Sequence, residues 1–291
     1  MKEITILSGK GGTGKTSITA ALASIVKNAV FCDNDVDAAD LHLIFKPEIR
    51  ESYSFDSGSK ALINASLCTN CGLCADYCRF DAIKINALGN RKVNQYKCEG
   101  CRLCQRVCPT EAITMIESDN NDWFISETRF GPLVHARMGP GEENSGKLVT
   151  KIRQKAREIA ADIKADFVIN DGPPGIGCSA IASVTGTDAV LLVTEPTLSG
   201  LHDASRLIEL VNSFNIPVFG LINKFDINAQ ITEIIKCHFA EKHIPIIAEL
   251  PFDIKMVNAM LEEKNIVEYA PVELVATKLF SAWSKMNSFL N

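Results

Sequence analysis

Positive charge is in short supply in this 291-residue chain: 30 Lys and Arg stand against 35 Asp and Glu, a formal net charge of −5. Neutralising a phosphate backbone needs a basic surface, so the deficit argues against a general nucleic-acid binder. No apolar run of membrane length and no secretory-signal pattern is present, so neither stable membrane insertion nor an oxidising compartment is expected, and a cytoplasmic location is inferred. Histidine occurs only five times, at spacings that match no ligand set. Hydrophobic residues make up 46% of the chain, enough for one large domain carrying a small one.

Cysteine, by contrast, is plentiful and ordered. Eight of eleven fall in two runs, Cys68-x-x-Cys71-x-x-Cys74-x-x-x-Cys78 and Cys98-x-x-Cys101-x-x-Cys104-x-x-x-Cys108-Pro109. Three cysteines at i, i+3 and i+6 in a tight loop can face one cuboidal cluster, and in the bacterial two-cluster pattern the fourth ligand comes from the other run. The expected ligands of two [4Fe–4S] clusters are therefore Cys68, Cys71, Cys74 and Cys108 for one, and Cys98, Cys101, Cys104 and Cys78 for the other. Ala82-Ile83 recurs as Ala112-Ile113, apolar pairs placed to wall the clusters from water. The runs differ in one respect: Cys108 is followed by proline, Cys78 by Arg79, a cation positioned to tune a potential or to face a partner. Zinc ribbons need two Cys-x-x-Cys pairs per metal rather than two runs of four, and disulfides need an oxidising compartment. Cys32, Cys178 and Cys237 are too scattered to form another run.

The chain opens on a second motif. Ile4 to Leu7 reads as a buried strand, Ser8-Gly9-Lys10-Gly11-Gly12-Thr13-Gly14-Lys15-Thr16 as a phosphate loop, and Thr16 to Val26 as a helix. Gly11, Gly12 and Gly14 let backbone N–H groups surround phosphates while the helix N-terminus adds its dipole. Lys15 is expected at the β- and γ-phosphates of ATP and the Thr16 hydroxyl on Mg²⁺, with Thr13 and Ser17 completing the nucleotide-binding run.

Lys10 separates this loop from an ordinary Walker A. The pattern Lys-Gly-Gly-x-Gly-Lys-Thr resembles the deviant Walker A of the MinD/ParA/Mrp and nitrogenase iron-protein class. Cys32-Asp33-Asn34-Asp35-Val36-Asp37 resembles that class's switch I, Phe167 to Gly175 its strand ending in Asp-x-Pro-Pro-Gly, and Gly220-Leu221-Ile222-Asn223-Lys224 its base-reading segment. The resemblance implies a homodimer in which Lys10 reaches the other subunit's nucleotide, and Asp35 as the residue that orients the attacking water. It further implies Mg²⁺ held by Thr16, Asp33 and Asp171, a base met by Asn223 and Pro251, and a γ-phosphate-sensing switch from Gly172 to Gly177. In the nitrogenase iron protein a cluster cysteine follows the corresponding aspartate at the spacing of Cys178. One thiolate per subunit supplies half of a four-cysteine site, so a buried switch residue is expected there.

The cysteine runs lie between switch I and the Asp171 strand and so interrupt the ATPase. The expected organisation is residues 1–61 as its first part, 62–118 as an inserted α+β ferredoxin-like domain, and 119–291 as its second part, with 119–122 a polar boundary. Apolar runs at 189–194, 218–223 and 244–248, separated by helical patterns such as 201–214, predict a wound, mostly parallel α/β sheet. Residues 139–147 read as a loop and helix start. Residues 272–290 read as a closing helix packed on the sheet, because the polar side has too few lysines for an interfacial helix. The expected activity is Mg²⁺-dependent ATP hydrolysis, its nucleotide state gating electron transfer or contact with a redox or client protein. A cluster-assembly carrier and a redox-sensing positioning ATPase are alternatives on the same scaffold.

Overall fold

The computed structural model describes residues 1–55, 58–87, 89–117, 121–139 and 145–290. Residue 118 of the expected ferredoxin-like domain, 119–120 of the expected boundary and 140–144 of the expected loop lie outside the described residues. Two compact units are present: Met1–Ser52, Trp123–Ala136 and Gly146–Asn291 in one, Tyr53–Asp122 and Arg137–Ser145 in the other. Strands among the described residues are β1 (Lys2–Ser8), β2 (Ala29–Asp33), β3 (Glu48–Phe55), β4 (Ser59–Ile63), β5 (Ile83–Ile85), β6 (Arg91–Val93) and β7 (Ile113–Glu117). They continue with β8 (Asn121–Thr128), β9 (Gly131–Arg137), β10 (Phe167–Pro174), β11 (Ala189–Thr194), β12 (Val218–Asn223) and β13 (Ile246–Leu250).

Nine strands form one sheet in the order β13-β12-β11-β1-β10-β2-β9-β8-β3. From β13 to β9 every neighbouring pair is parallel. Side chains alternate across a strand, so a sheet covered on both faces needs apolar residues at successive positions. In β1 and β11, Ile4, Ile6, Leu191 and Val193 face a layer that contains Ile18 and Leu22 of the helix Lys15–Ile25. Leu7, Val190 and Leu192 face the opposite layer, with Leu207 and Val211 of the helix Leu198–Asn212 and Phe239 of Ala229–Glu241. The last helix, Leu274–Leu290, buries Val275, Leu279 and Met286 in the first layer and sets Trp283 edge-on to Phe167, ring centroids 4.9 Å apart. It is a packing helix, and no helix among the described residues is long and apolar enough to cross a membrane. β1 lies between β10 and β11, which puts the loop after it at the carboxyl edge of the sheet, where wound α/β sheets bind ligands.

The smaller unit is built on a repeat. β4 pairs antiparallel with β7 and β5 with β6, and each cysteine run carries a four-residue helix, Leu73–Asp76 or Leu103–Arg106. Left-handed backbone recurs at matched positions thirty residues apart: Asn70 and Gly100, Gly72 and Arg102, Asp81 and Glu111. The chain path thus repeats even where the residue type does not. Ala61, Ala82, Ile83, Val93 and Ile113 make a small core together with Cys74 and Cys98.

Candidate functional site

At the carboxyl edge of the large sheet, the loop after β1 runs into the helix Lys15–Ile25. Gly14 turns the corner with φ 90° and lies so close to the Asn223 side chain that a Cβ would collide with it. Asn223 Nδ2 donates to Thr13 O at 2.8 Å and Lys224 Nζ to Gly12 O at 3.2 Å, so the expected base-reading segment also braces the phosphate loop. Ser17 Oγ donates to Met260 Sδ at 3.2 Å. Pro251 immediately follows β13, half-buried.

Lys15 is buried and lies 3.1 Å from Asp171 Oδ1 and 3.6 Å from Asp35 Oδ2. Burial opposes its charge, but Asp171, Asp35 and Asp33 outweigh that and raise its pKa. Thr16 Oγ1 donates to Asp171 Oδ2 at 2.7 Å and Thr19 Oγ1 to Oδ1 at 2.6 Å. Asp33 accepts from the amides of Asp35 and Leu41. Burial first, then the neighbouring Asp171, push its carboxyl well above the ordinary range. Burial also lifts Asp35 to about 6, helped by Asp171 and Asp37 and opposed by Lys15. Three buried carboxyls around one ammonium leave an excess of negative charge that a divalent cation would neutralise, and hydroxyl and carboxylate oxygens are the donors Mg²⁺ takes. Among the described residues Thr13 Oγ1 is buried without a hydrogen-bond partner, so the loop retains polar capacity for a ligand. Thr19 was not singled out from sequence; its only signal is its place one helical turn after Lys15 on the buried side.

Lys10 pairs with Glu195 Oε1 at 2.8 Å and donates to Thr197 Oγ1 and Ser199 Oγ, each at 3.1 Å. Lys224 holds the other oxygen of Glu195 at 3.0 Å. Partial burial works against the Glu195 charge, yet the two lysines keep its pKa below the usual value. Cys178 departs from expectation: it opens the helix Cys178–Val184 and is exposed, because it is Ala180, Ser183 and Val184 that lie on the side packed inward.

In the smaller unit the cysteines surround two cavities. One is lined by Cys68, Cys71, Cys74 and Cys108 with Ile63, Ala112 and Ile113. The other is lined by Cys78, Cys98, Cys101 and Cys104 with Ala61, Ala82 and Ile83. Each cavity therefore takes three thiols from one run and the fourth from the other, and each is walled by the apolar pair that follows its fourth cysteine. Four thiols around an apolar cavity are the ligand set of a cuboidal iron–sulfur cluster. Backbone N–H groups of Ala61 and Ala82 donate to Cys98 Sγ and Cys78 Sγ at 3.4 Å, orienting those sulfurs. Arg91, which sequence reading passed over, lines the first cavity, and its Nε is buried without a partner among the described residues. An arginine on a short strand carries no sequence signal of that placement.

A family model described as a 4Fe-4S dicluster domain matches residues 61–115. An uncharacterized protein of Methanocaldococcus jannaschii is 38% identical over 230 residues, covering 78% of this chain and 79% of that one. The septum site-determining protein MinD of Buchnera aphidicola is 25% identical over 217 residues, 72% of this chain and 58% of its own. An iron-sulfur cluster carrier protein of Rickettsia bellii is 32% identical over 121 residues, 39% and 36%. Among solved structures, MinD of Pyrococcus horikoshii complexed with Mg-ADP superimposes with a TM-score of 0.60 at 17% identity, covering 99% of this chain and 96% of that one.

Proposed function

The chain belongs to the MinD/ParA-type P-loop ATPases that carry a 4Fe–4S dicluster domain, and from that premise we propose that it is a nucleotide-gated homodimer whose ATP state controls electron transfer through two [4Fe–4S] clusters. The observation that carries the proposal is the pairing, on one chain, of two four-thiol cavities with a phosphate loop whose Lys15, Thr16, Asp35 and Asp171 converge.

In this reading the backbone of Gly11 to Gly14 and the ammonium of Lys15 bind the phosphates of ATP. Thr16 and Asp171, supported by Asp33, would hold Mg²⁺, which would supply positive charge beside the phosphate oxygens. Asp35, beside Lys15, accepts a hydrogen bond from water and aims it at the γ-phosphorus, giving ADP and phosphate. Lys10 leaves Glu195 to meet the nucleotide of the second subunit, and Asn223 and Pro251 border the base. The eight cysteines would hold the clusters, which would supply one-electron redox chemistry. The ferredoxin-like domain is assigned to 62–118 within ATPase segments 1–61 and 119–291, and the protein to the cytoplasm.

Anaerobically purified protein is expected to contain about eight iron atoms per chain and to give [4Fe–4S] EPR signals on reduction. Cluster potentials are expected to differ between the nucleotide-free protein and the protein with a nonhydrolysable ATP analogue. Stoichiometric zinc without iron, or identical potentials in both states, would sink the reading. The similarity to an iron-sulfur cluster carrier supports a second one, in which the clusters are cargo; transfer of iron to an apo-acceptor would favour it.

A further inference from the structure

We propose that the basic, aromatic-bearing face around the Cys78, Cys98, Cys101 and Cys104 cavity is the docking surface for an acidic one-electron carrier protein. The inference rests on the reading that this cavity holds a cluster, and adds which cluster meets the carrier and what charge that carrier bears.

Charge is distributed very unevenly along the chain. Although acidic residues outnumber basic ones overall, the stretch from Tyr77 to Arg106 holds seven Lys and Arg against two acidic residues, Asp81 and Glu99. Six of the seven, Arg79, Lys84, Lys92, Lys97, Arg102 and Arg106, are exposed. Lys84 stands directly opposite Lys92 across the β5–β6 pair, an arrangement of like charges that weakens a hairpin. Asp81 serves Lys84 at 2.9 Å and Lys97 at 3.7 Å, while Arg79, Lys92, Arg102 and Arg106 form no salt bridge among the described residues. The unit's own stability therefore does not account for these cations.

Arg102 adds a second, independent observation. It holds a left-handed backbone, φ 63°, at the position where the first repeat places Gly72. The long side chain there lines the cavity beside the exposed Cys101. Tyr77 and Phe80 line the cavity yet are 53% and 41% exposed, and Tyr96, two residues before Cys98, is 74% exposed. Arginine and aromatic side chains together are the composition of interface hot spots. The other cavity has the half-buried Arg91 in its lining, but the stretch from Leu67 to Asp76, which carries three of its four cysteines, holds no Lys or Arg.

A carrier must bring its own centre close to the cluster, so Arg102 on the cavity and the exposed cations of the stretch that carries its four cysteines, Arg79 next to Cys78 among them, guide an oppositely charged redox protein toward it. In each encounter one electron passes between the carrier and the cluster, one being oxidised as the other is reduced, with no bond made or broken. Nucleic acid would also meet cations and aromatics, but it has no electron to exchange at a ring of thiols.

The test uses the anaerobic full-length holoprotein and two acidic probes, oxidised flavodoxin and a clostridial-type ferredoxin, with cytochrome c as the basic probe and a DNA duplex as the phosphate probe. At least one acidic carrier is expected to bind with an affinity that falls steeply with salt. The R79E/K92E/R106E variant is expected to lose that binding about tenfold or more, with iron content and EPR signals unchanged. A charge-matched K27E/K151E/K242E variant in the ATPase unit should lose less than about threefold. If the first variant fails to retain iron, Arg79→Gln and Arg106→Gln separately carry the test, each expected to weaken binding about threefold. The proposal is overturned if neither acidic carrier binds, if the variants bind as the parent does, or if cytochrome c or the duplex binds more tightly. Parent protein without iron would instead end the reading beneath it.

Discussion

Asp35 ties the chemistry of the nucleotide site to pH through a single carboxyl. Burial, with the charges of Asp171 and Asp37, sets its pKa at about 6 against the opposing pull of Lys15. An acid whose pKa is higher folded than unfolded binds its proton more tightly in the fold. Its contribution to stability is therefore greatest below the ordinary aspartate value and is lost as pH rises through about 6. Without nucleotide, the melting temperature of the parent protein relative to Asp35→Asn should rise between pH 7 and pH 5; a constant difference would contradict the environment described. With ATP, Asp35→Ala should retain nucleotide and lose turnover, whereas Lys15→Ala should weaken nucleotide binding itself, because phosphate positioning and water orientation are separate parts of the chemistry. Arg91 makes the equivalent argument at the clusters. A cation lining the Cys68, Cys71, Cys74 and Cys108 cavity favours the more negative, reduced state, so Arg91→Leu should lower the potential of one cluster and leave the other in place. Potentiometric EPR titration reads both, and an equal shift of the two would show that Arg91 acts through the fold instead.

Among the elements, β1 and β10 are joined by polar contacts as well as by their ladder. Glu3 is buried and accepts from Arg153 Nε at 2.9 Å, Arg153 Nη2 at 2.7 Å and Asn170 Nδ2 at 2.7 Å. Arg153, on the helix Ser145–Asp162, also donates to the carbonyls of Ala182 and Thr185 at the end of the helix Cys178–Val184. Removing one partner of such a pair leaves the other buried and uncompensated, at a cost of about 3–5 kcal/mol. Glu3→Ala should lose that much in urea unfolding, and Glu3→Leu with Arg153→Met should recover most of it. The same strands show what sequence alone conveys. Ile4, Ile6 and Leu7 announce a strand buried on both faces, and the cysteine spacing anticipates how thiols are shared between the two cavities. β3 was not legible because nearly every residue from Glu48 to Phe55 is exposed, leaving no apolar period to find. β8 was hidden for a different reason: its buried positions include Asn121 and Ser126, and Ser126 is matched by His135 of β9 at 3.0 Å only in three dimensions. The exposure of Cys178 likewise depends on which side of a short helix meets the sheet.

For the molecule as a whole, the ion pair between Lys10 and Glu195 is the contact that would set the threshold for assembly in the proposed homodimer. Glu195 holds Lys10 and Lys224 together, with Thr197 and Ser199 as further acceptors for Lys10, so the lysine assigned to the other subunit's nucleotide is occupied within its own. These groups are partly exposed, and contacts of this kind are individually weak. In the proposed homodimer, the phosphates of a nucleotide bound in the second subunit would therefore compete effectively for the lysine, and assembly would depend on ATP. Weakening the internal hold without touching the phosphate loop should bring dimerisation to lower ATP concentration. Glu195→Gln is accordingly expected to shift the midpoint of ATP-dependent dimerisation several-fold lower, and Lys10→Ala to leave the protein monomeric at saturating ATP while nucleotide still binds. Sedimentation velocity across an ATP titration reads both variants. A Glu195→Gln midpoint equal to or above that of the parent would remove the hold from the account, and a fully ATP-responsive Lys10→Ala dimer would remove the crossing lysine.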